Sequence, residues 1–227
     1  MPLNNGFDST IHVYLQHGWG FNRDCFQKWL PALEGVAVTL LDRGYWGAAV
    51  PLSQADTSTK TVLVCHSLGL HFFSESQLRS VDLLVVIGGF ASFHGLNAEN
   101  QLSKKHIKRM RGRLKQEPEQ LLSDFYRDCA WPGDLPDFSA INVDLLADDL
   151  LLLDTVRLQH TVVTETEVLI LHGANDRIVP IERARELHKQ ISGSLYLIDG
   201  AGHGLPFTHV GQCVQIIKDQ LSVSESK

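Results

Sequence analysis

Apolar and polar positions follow two rhythms along this chain. Short, nearly continuous apolar runs at residues 11–15, 36–41, 61–65 and 81–88 have the length and β-branched content of strands buried on both faces. Between the first two, residues 22–33 place Phe26, Trp29, Leu30 and Leu33 on one helical stripe. Two more strands are predicted at 168–171 and 195–198, and helices at 181–191 and 208–221. The last of these repeats Val210, Cys213, Val214, Ile217 and Leu221 at helical spacing. Strands alternating with helices in this way predict an α/β fold, a mostly parallel, doubly wound sheet of about six strands with helices on both faces.

The alternation is interrupted at 92–162, where only helical patterns occur. Pro118 suits a first helical turn, followed by Leu121, Leu122, Phe125 and Cys129 on one stripe, and 142–159 is leucine-rich and acidic. The expected organisation is a sheet core made of 1–91 and 163–227, with 92–162 a helical lid over the strand ends. Residues 222–227 read as a frayed tail.

A length of 227 residues fits one α/β domain. No run of 18 or more apolar residues occurs, so no membrane span is expected. The first ten residues lack the basic start and apolar core of a secretory signal. Cys25, Cys65, Cys129 and Cys213 stand far apart, which reads as reduced thiols in a cytoplasmic protein. The net charge of −6 argues against a nucleic-acid partner. That charge is unevenly spread. Residues 101–116 hold seven Lys/Arg and no acid, which leaves 13 basic against 26 acidic residues elsewhere.

Chemistry is carried by four strand-end segments. Cys65-His66-Ser67-Leu68-Gly69 follows a strand and precedes a helical stretch, the setting in which a tight turn holds a serine proud of the sheet. The usual form is G-x-S-x-G; here Cys65 takes the first glycine's place. After the interruption, the segment from Leu171 to Pro180 puts Asp176 at a strand's carboxyl end, where open α/β sheets place their sites. Gly200-Ala201-Gly202-His203-Gly204 follows the last strand. The order Ser67, Asp176, His203 is that of α/β-hydrolases. Gln16-His17-Gly18-Trp19-Gly20 follows the first strand, and its glycines suit an oxyanion hole formed by the amides of Trp19 and Leu68. Ser67 is then the nucleophile, His203 the base and Asp176 the orienting acid, with His17 bracing its loop.

Other assignments compete. His66 and His71 are five apart and His203 and His209 six apart, with no HxxxH pair, so neither a metal nor another cofactor is expected. Asp199, only four residues before His203, and Asp154, in the lid, are alternative acids. Cys65 is a conceivable nucleophile, although a strand-end cysteine is more often a small buried hydrophobe.

With HGWG, HSLG, HGANDRIVP and GAGHGLPF in order, the chain resembles the pimeloyl-acyl-carrier-protein methyl ester esterases of biotin synthesis. The resemblance covers most of the chain and is thin in the lid. It implies the same triad, Trp19 and Leu68 at the acyl head, and Phe125, Tyr126 and Cys129 along the pimeloyl channel. It also implies acyl carrier protein as the partner presenting the substrate; the enzyme itself is expected to be a monomer. Lys104, Lys105, Lys108, Arg109, Arg111, Arg113 and Lys115 would dock that acidic protein, with Leu102, Ile107, Met110 and Leu114 turned inward. Departures from the family pattern are Cys65, Leu70, the LDRGYWG loop from Leu41 to Gly47, and a short or missing N-terminal hairpin. A broad short-chain carboxylesterase or acyl thioesterase would share every catalytic residue. A non-catalytic binding protein on the same fold would be expected to have lost one of them.

Overall fold

The computed structural model describes residues 10–53, 59–95, 99–158 and 166–224. Six strands form one sheet: β1 (Ile11–Gln16), β2 (Ala37–Leu41), β3 (Lys60–His66), β4 (Leu83–Ile87), β5 (Glu167–Gly173) and β6 (Ser194–Ile198). All neighbours are parallel, in the order β2-β1-β3-β4-β5-β6. The chain steps outward from β1 to β2 and then back past β1 to β3. The direction of winding therefore reverses between the carboxyl ends of β1 and β3, where such sheets hold their ligands.

Period-two alternation sends the strand side chains to two separate cores. Val13, Leu15, Val62, Val64, Val85, Ile87, Leu169 and Leu171 pack on one face. They meet Phe26 and Trp29, the inserted helices, and Ile217 and Leu221 of α7 (Val210–Ser224). Tyr14, Leu63, Cys65, Leu84, Val86, Val168 and Ile170 pack on the other face. Their partners are Leu78 of α1 (Glu75–Arg79) and Ala184 and Leu187 of α5 (Ile181–Ile191). All five residues of β4 are buried, as the unbroken run LLVVI requires.

Between β4 and β5 lie α2 (Glu99–Gln116), α3 (Pro118–Asp128) and α4 (Val143–Thr155). The expected lid span of 92–162 includes 96–98 and 159–162, which lie outside the described residues. In α2, Ile107, Met110 and Leu114 are buried, but Leu102 is 71% exposed. Leu102 is five residues from Ile107, which at 100° per residue turns it well off that stripe.

Three expected boundaries shift. Residues 22–33 form not one helix but two tight 3₁₀ segments, Arg23–Trp29 and Pro31–Leu33. Pro31 has no N–H to give the Gln27 carbonyl, so the Leu30 amide takes it instead at 3.3 Å, and Leu30 is left 37% exposed. The helix expected at 208–221 is split by the non-helical His209 into α6 (Leu205–Thr208) and α7. Of the tail expected from 222, Ser222–Ser224 belong to α7, and 225–227 lie outside the described residues.

Glycines set the closest approaches around the sheet's carboxyl edge. A Cβ on Gly69 would lie 2.5 Å from the His17 carbonyl oxygen, and one on Gly173 would lie 2.5 Å from that of Ala201. Gly69→Ala is therefore expected to destabilise the protein by roughly 2 kcal/mol or more. The change should appear as a lower urea midpoint at unchanged slope, and an unchanged midpoint would contradict this packing.

Candidate active site

Ser67 directly follows β3 and opens a 3₁₀ turn, Ser67–Phe72, with φ at 54°. A non-glycine residue in the left-handed region costs on the order of 1–3 kcal/mol and is held only where its surroundings enforce it. Those surroundings are visible. The β1–β3 register sets Gln16 beside Cys65, which brings the loop after β1 alongside His66 and Ser67. A Cβ on Gly18 would be 2.9 Å from both the His66 oxygen and the Ser67 Cβ, so only glycine lets that loop lie so near.

The three residues expected from sequence meet here. His203 Nε2 is 3.0 Å from Ser67 Oγ, and His203 Nδ1 is 2.8 Å from Asp176 Oδ2. An ionised carboxylate only accepts, so Nδ1 carries the proton and Nε2 accepts from the serine hydroxyl. Asp176 Oδ1 also accepts the amides of Ile178 and Val179, both at 2.8 Å. Burial would raise the Asp176 carboxyl, but the facing His203 and the Val179 amide outweigh it and hold the group below its ordinary value. Ser67 is 8% and His203 2% exposed, so the charge relationships operate in a dry environment.

Competing residues are placed elsewhere. Asp199 is exposed, and Asp154 Oδ1 binds His94 Nε2 at 2.8 Å rather than His203. His94 Nδ1 is in turn 2.6 Å from Ser103 Oγ, a second Ser–His–Asp arrangement inside the insertion. Ser103 lies within α2 and gives its proton to the Asn100 carbonyl at 3.1 Å, so that arrangement ties helices together rather than exposing a nucleophile. Cys65 is fully buried in β3, and burial pushes its thiol well above the ordinary value. Among the described residues no group of three or more metal-ligating side chains occurs.

The remaining expected residues surround the serine unevenly. Leu68 is second in the turn that Ser67 opens, where a helix's amides lack internal acceptors. The Trp19 indole N–H donates to the Leu146 carbonyl of α4 at 2.9 Å, and its ring meets Phe125 edge-on at 5.1 Å. Tyr126 packs against Phe21 and Trp131, and Cys129 is 1% exposed with its thiol pushed up by burial. Their side chains belong to the packed core, and no described bond joins either to Ser67 or His203. Phe21, which touches Phe125, Tyr126, Trp131 and Phe207, was not singled out from sequence; its place directly after HGWG was the available signal.

On α2, Lys104, Lys105, Lys108, Arg109 and Lys115 are exposed and Arg111 is half-buried. Arg113 departs from its expected docking role. It is bound to Glu117 at 2.5 Å and to Asp124 of α3 at 2.7 Å, which fastens the α2–α3 corner.

The sheet order and the strained serine turn carrying this triad geometry define an α/β-hydrolase fold. Comparison with known proteins agrees. A family model described as TAP-like protein matches residues 154–222. Pimeloyl-[acyl-carrier protein] methyl ester esterase of Neisseria meningitidis is 26% identical over 93% of this chain and 77% of its own. An esterase of Exiguobacterium antarcticum superposes with a TM-score of 0.77 at 20% identity, over 95% of this chain and 93% of its own. A bromoperoxidase of Bacillus anthracis does so with 0.72 at 19% identity, over 95% and 92%.

Two outcomes follow. Glycine relieves the left-handed backbone, so Ser67→Gly should be more stable than Ser67→Ala by about 0.5–1 kcal/mol in matched urea melts; the reverse order would argue against strain at Ser67. The second concerns acid. Burial depresses His66, His71 and His172, with His71 at about 4. These groups stay neutral when folded, while the unfolded chain binds protons as pH falls below about 6.5. Stability should therefore be level above pH 7 and fall from 6.5 toward 4, with His71 alone supplying on the order of 2 kcal/mol of the loss. His71→Gln should flatten the urea-midpoint profile across that window.

Proposed function

We propose that this protein is a serine carboxylic ester hydrolase that removes the methyl group from the pimeloyl-acyl carrier protein methyl ester. The observation that carries the reading is the continuous Asp176–His203–Ser67 hydrogen-bond line on a strained turn at the sheet's switch point. In the first half-reaction His203 Nε2 takes the Ser67 proton while Oγ attacks the ester carbonyl. The resulting oxyanion rests on the amides of Trp19 and Leu68, and Asp176 stabilises the imidazolium. Collapse expels methoxide, protonated by His203 to leave as methanol. Water then attacks the acyl-enzyme with His203 as base, and the free acid departs with Ser67 Oγ reprotonated.

The likeness to the Neisseria esterase supports the substrate assignment. Residues 92–162 act in this reading as a lid, with Phe125 packed against Trp19 beside the acyl site. The chain works in the cytoplasm as a monomer without a cofactor. Carrier protein is acidic, and Lys104, Lys105, Lys108, Arg109, Arg111 and Lys115 give α2 a face of one sign to steer it. None of these six has a carboxylate within ion-pairing distance among the described residues.

The test is hydrolysis of the carrier-bound methyl ester beside p-nitrophenyl butyrate. Ser67→Ala should lower both rates by at least ~10⁴-fold. Replacing Lys104, Lys105 and Lys108 by Gln should raise KM for the carrier ester about tenfold at low salt and leave the small ester unchanged. Cleavage of the small ester alone would keep the triad and replace the carrier substrate by a short-chain ester or thioester. An equal effect of the triple variant on both esters would overturn docking.

A further inference from the structure

Asp149 sits in the middle of the leucine-rich helix α4 and is 1% exposed. Its partners come from the loop after β2. Arg43 Nε and Nη2 donate to its two oxygens, both at 2.8 Å, and the Tyr45 hydroxyl donates to Oδ2 at 2.7 Å. Arg43 also lies over the Phe72 ring, its guanidinium carbon 4.7 Å from the centroid, at the end of the turn that Ser67 opens. Both arms of the Arg43 fork are used on Asp149, a two-point bond that fixes orientation as well as distance.

From Arg43 the connection continues toward the nucleophile. The Arg43 amide donates to His17 Nε2 at 3.0 Å, which makes that nitrogen an acceptor. Asp42 Oδ1 lies farther from it, at 3.4 Å, and already accepts the Gly44 amide at 2.8 Å. The His17 proton is therefore on Nδ1, which donates to the Gly18 carbonyl at 2.8 Å. The described chain contains no cis peptide, and in a trans peptide C=O and N–H point in opposite directions. A bond that holds the Gly18 carbonyl on the His17 side thus directs the Trp19 N–H to the other side. Gly18 itself is pressed against Ser67 Cβ.

We propose that Asp149 and Arg43 are positioning residues for the reaction: through His17 they fix the Gly18–Trp19 peptide so that the Trp19 amide meets the oxyanion on the Ser67 adduct. The helix α4 is then part of the catalytic apparatus as well as of the cover. Its other ties reach the same two loops, since Leu146 accepts the Trp19 indole and the Asn142 amide donates to the Tyr45 carbonyl at 2.8 Å. The proposal rests on the serine-hydrolase reading but not on the identity of the ester.

The experiment uses Asp149→Asn and Arg43→Lys with p-nitrophenyl butyrate, with active sites counted by a fluorophosphonate probe. Arg43→Lys keeps a cation beside Asp149 and loses only the fork, so it carries the test if Asp149→Asn does not fold. Each folded variant is expected to lose ten- to a hundredfold in kcat per titrated site, with KM within about twofold. Its affinity for a trifluoromethyl ketone, which forms an oxyanion on the serine, should fall by the same factor. Unchanged kcat per titrated site, or a loss confined to KM, would overturn the proposal and leave Asp149 a fastener of α4. A wild type that does not react with the probe at Ser67 would instead overturn the serine-hydrolase reading itself.

Discussion

Ser67 leaves β3 in a left-handed conformation, and the rest of the site is arranged around that backbone. The turn lifts Oγ off the sheet, but it is unfavourable for a residue with a side chain, so the neighbours must hold it. They do so by close approach. Gly18 lets the β1 loop lie on the His66 carbonyl, and Gly69 lets the following turn pass the His17 carbonyl. Those contacts exist because β1 and β3 are adjacent parallel strands in a fixed register. Strand order, loop glycines and serine strain are thus parts of one constraint.

Hydrogen-bond direction then determines what the site can do. His203 is a donor toward Asp176 and an acceptor toward Ser67, while His66 donates from Nε2 to the His203 carbonyl at 3.0 Å and steadies that loop from below. His17 has the same tautomer as His203, accepting on Nε2 and donating from Nδ1, but its partners are backbone groups. Three histidines in one small volume take different roles because each faces different partners, not because their sequences differ in kind. Burial keeps His66 neutral, which avoids a second cation beside the imidazolium that catalysis would create.

The helices between β4 and β5 are joined to the core by polar ties as much as by packing. Asp149 reaches Arg43 and Tyr45, and Leu146 accepts the Trp19 indole. A buried carboxylate is costly unless paired, so the cluster at Asp149 contributes orientation more than net stability. Apolar contacts among Phe21, Phe125, Trp131 and Phe207 supply the cohesion, and the directed bonds choose which arrangement they hold.

The sheet was legible in sequence because strands buried on both faces must be apolar throughout, as β3 and β4 are. The triad was legible because each member stands just beyond a strand that the apolar runs had already located. Residues 22–33 misled because the stripe of Phe26 and Trp29 suits a helix, while one missing N–H at Pro31 decides otherwise. Arg113 looked like one more cation of a docking face, since nothing in the local pattern reveals Asp124 eleven residues away across a helix corner. Arg43 and Asp149 lie 106 positions apart and carry no shared motif. Periodicity reports which way a side chain faces along its own element, and so sequence alone determined the strands and the three residues, Ser67, Asp176 and His203, that stand just beyond them. Which charged groups meet depends on how separate elements dock, and only the tertiary structure decided that.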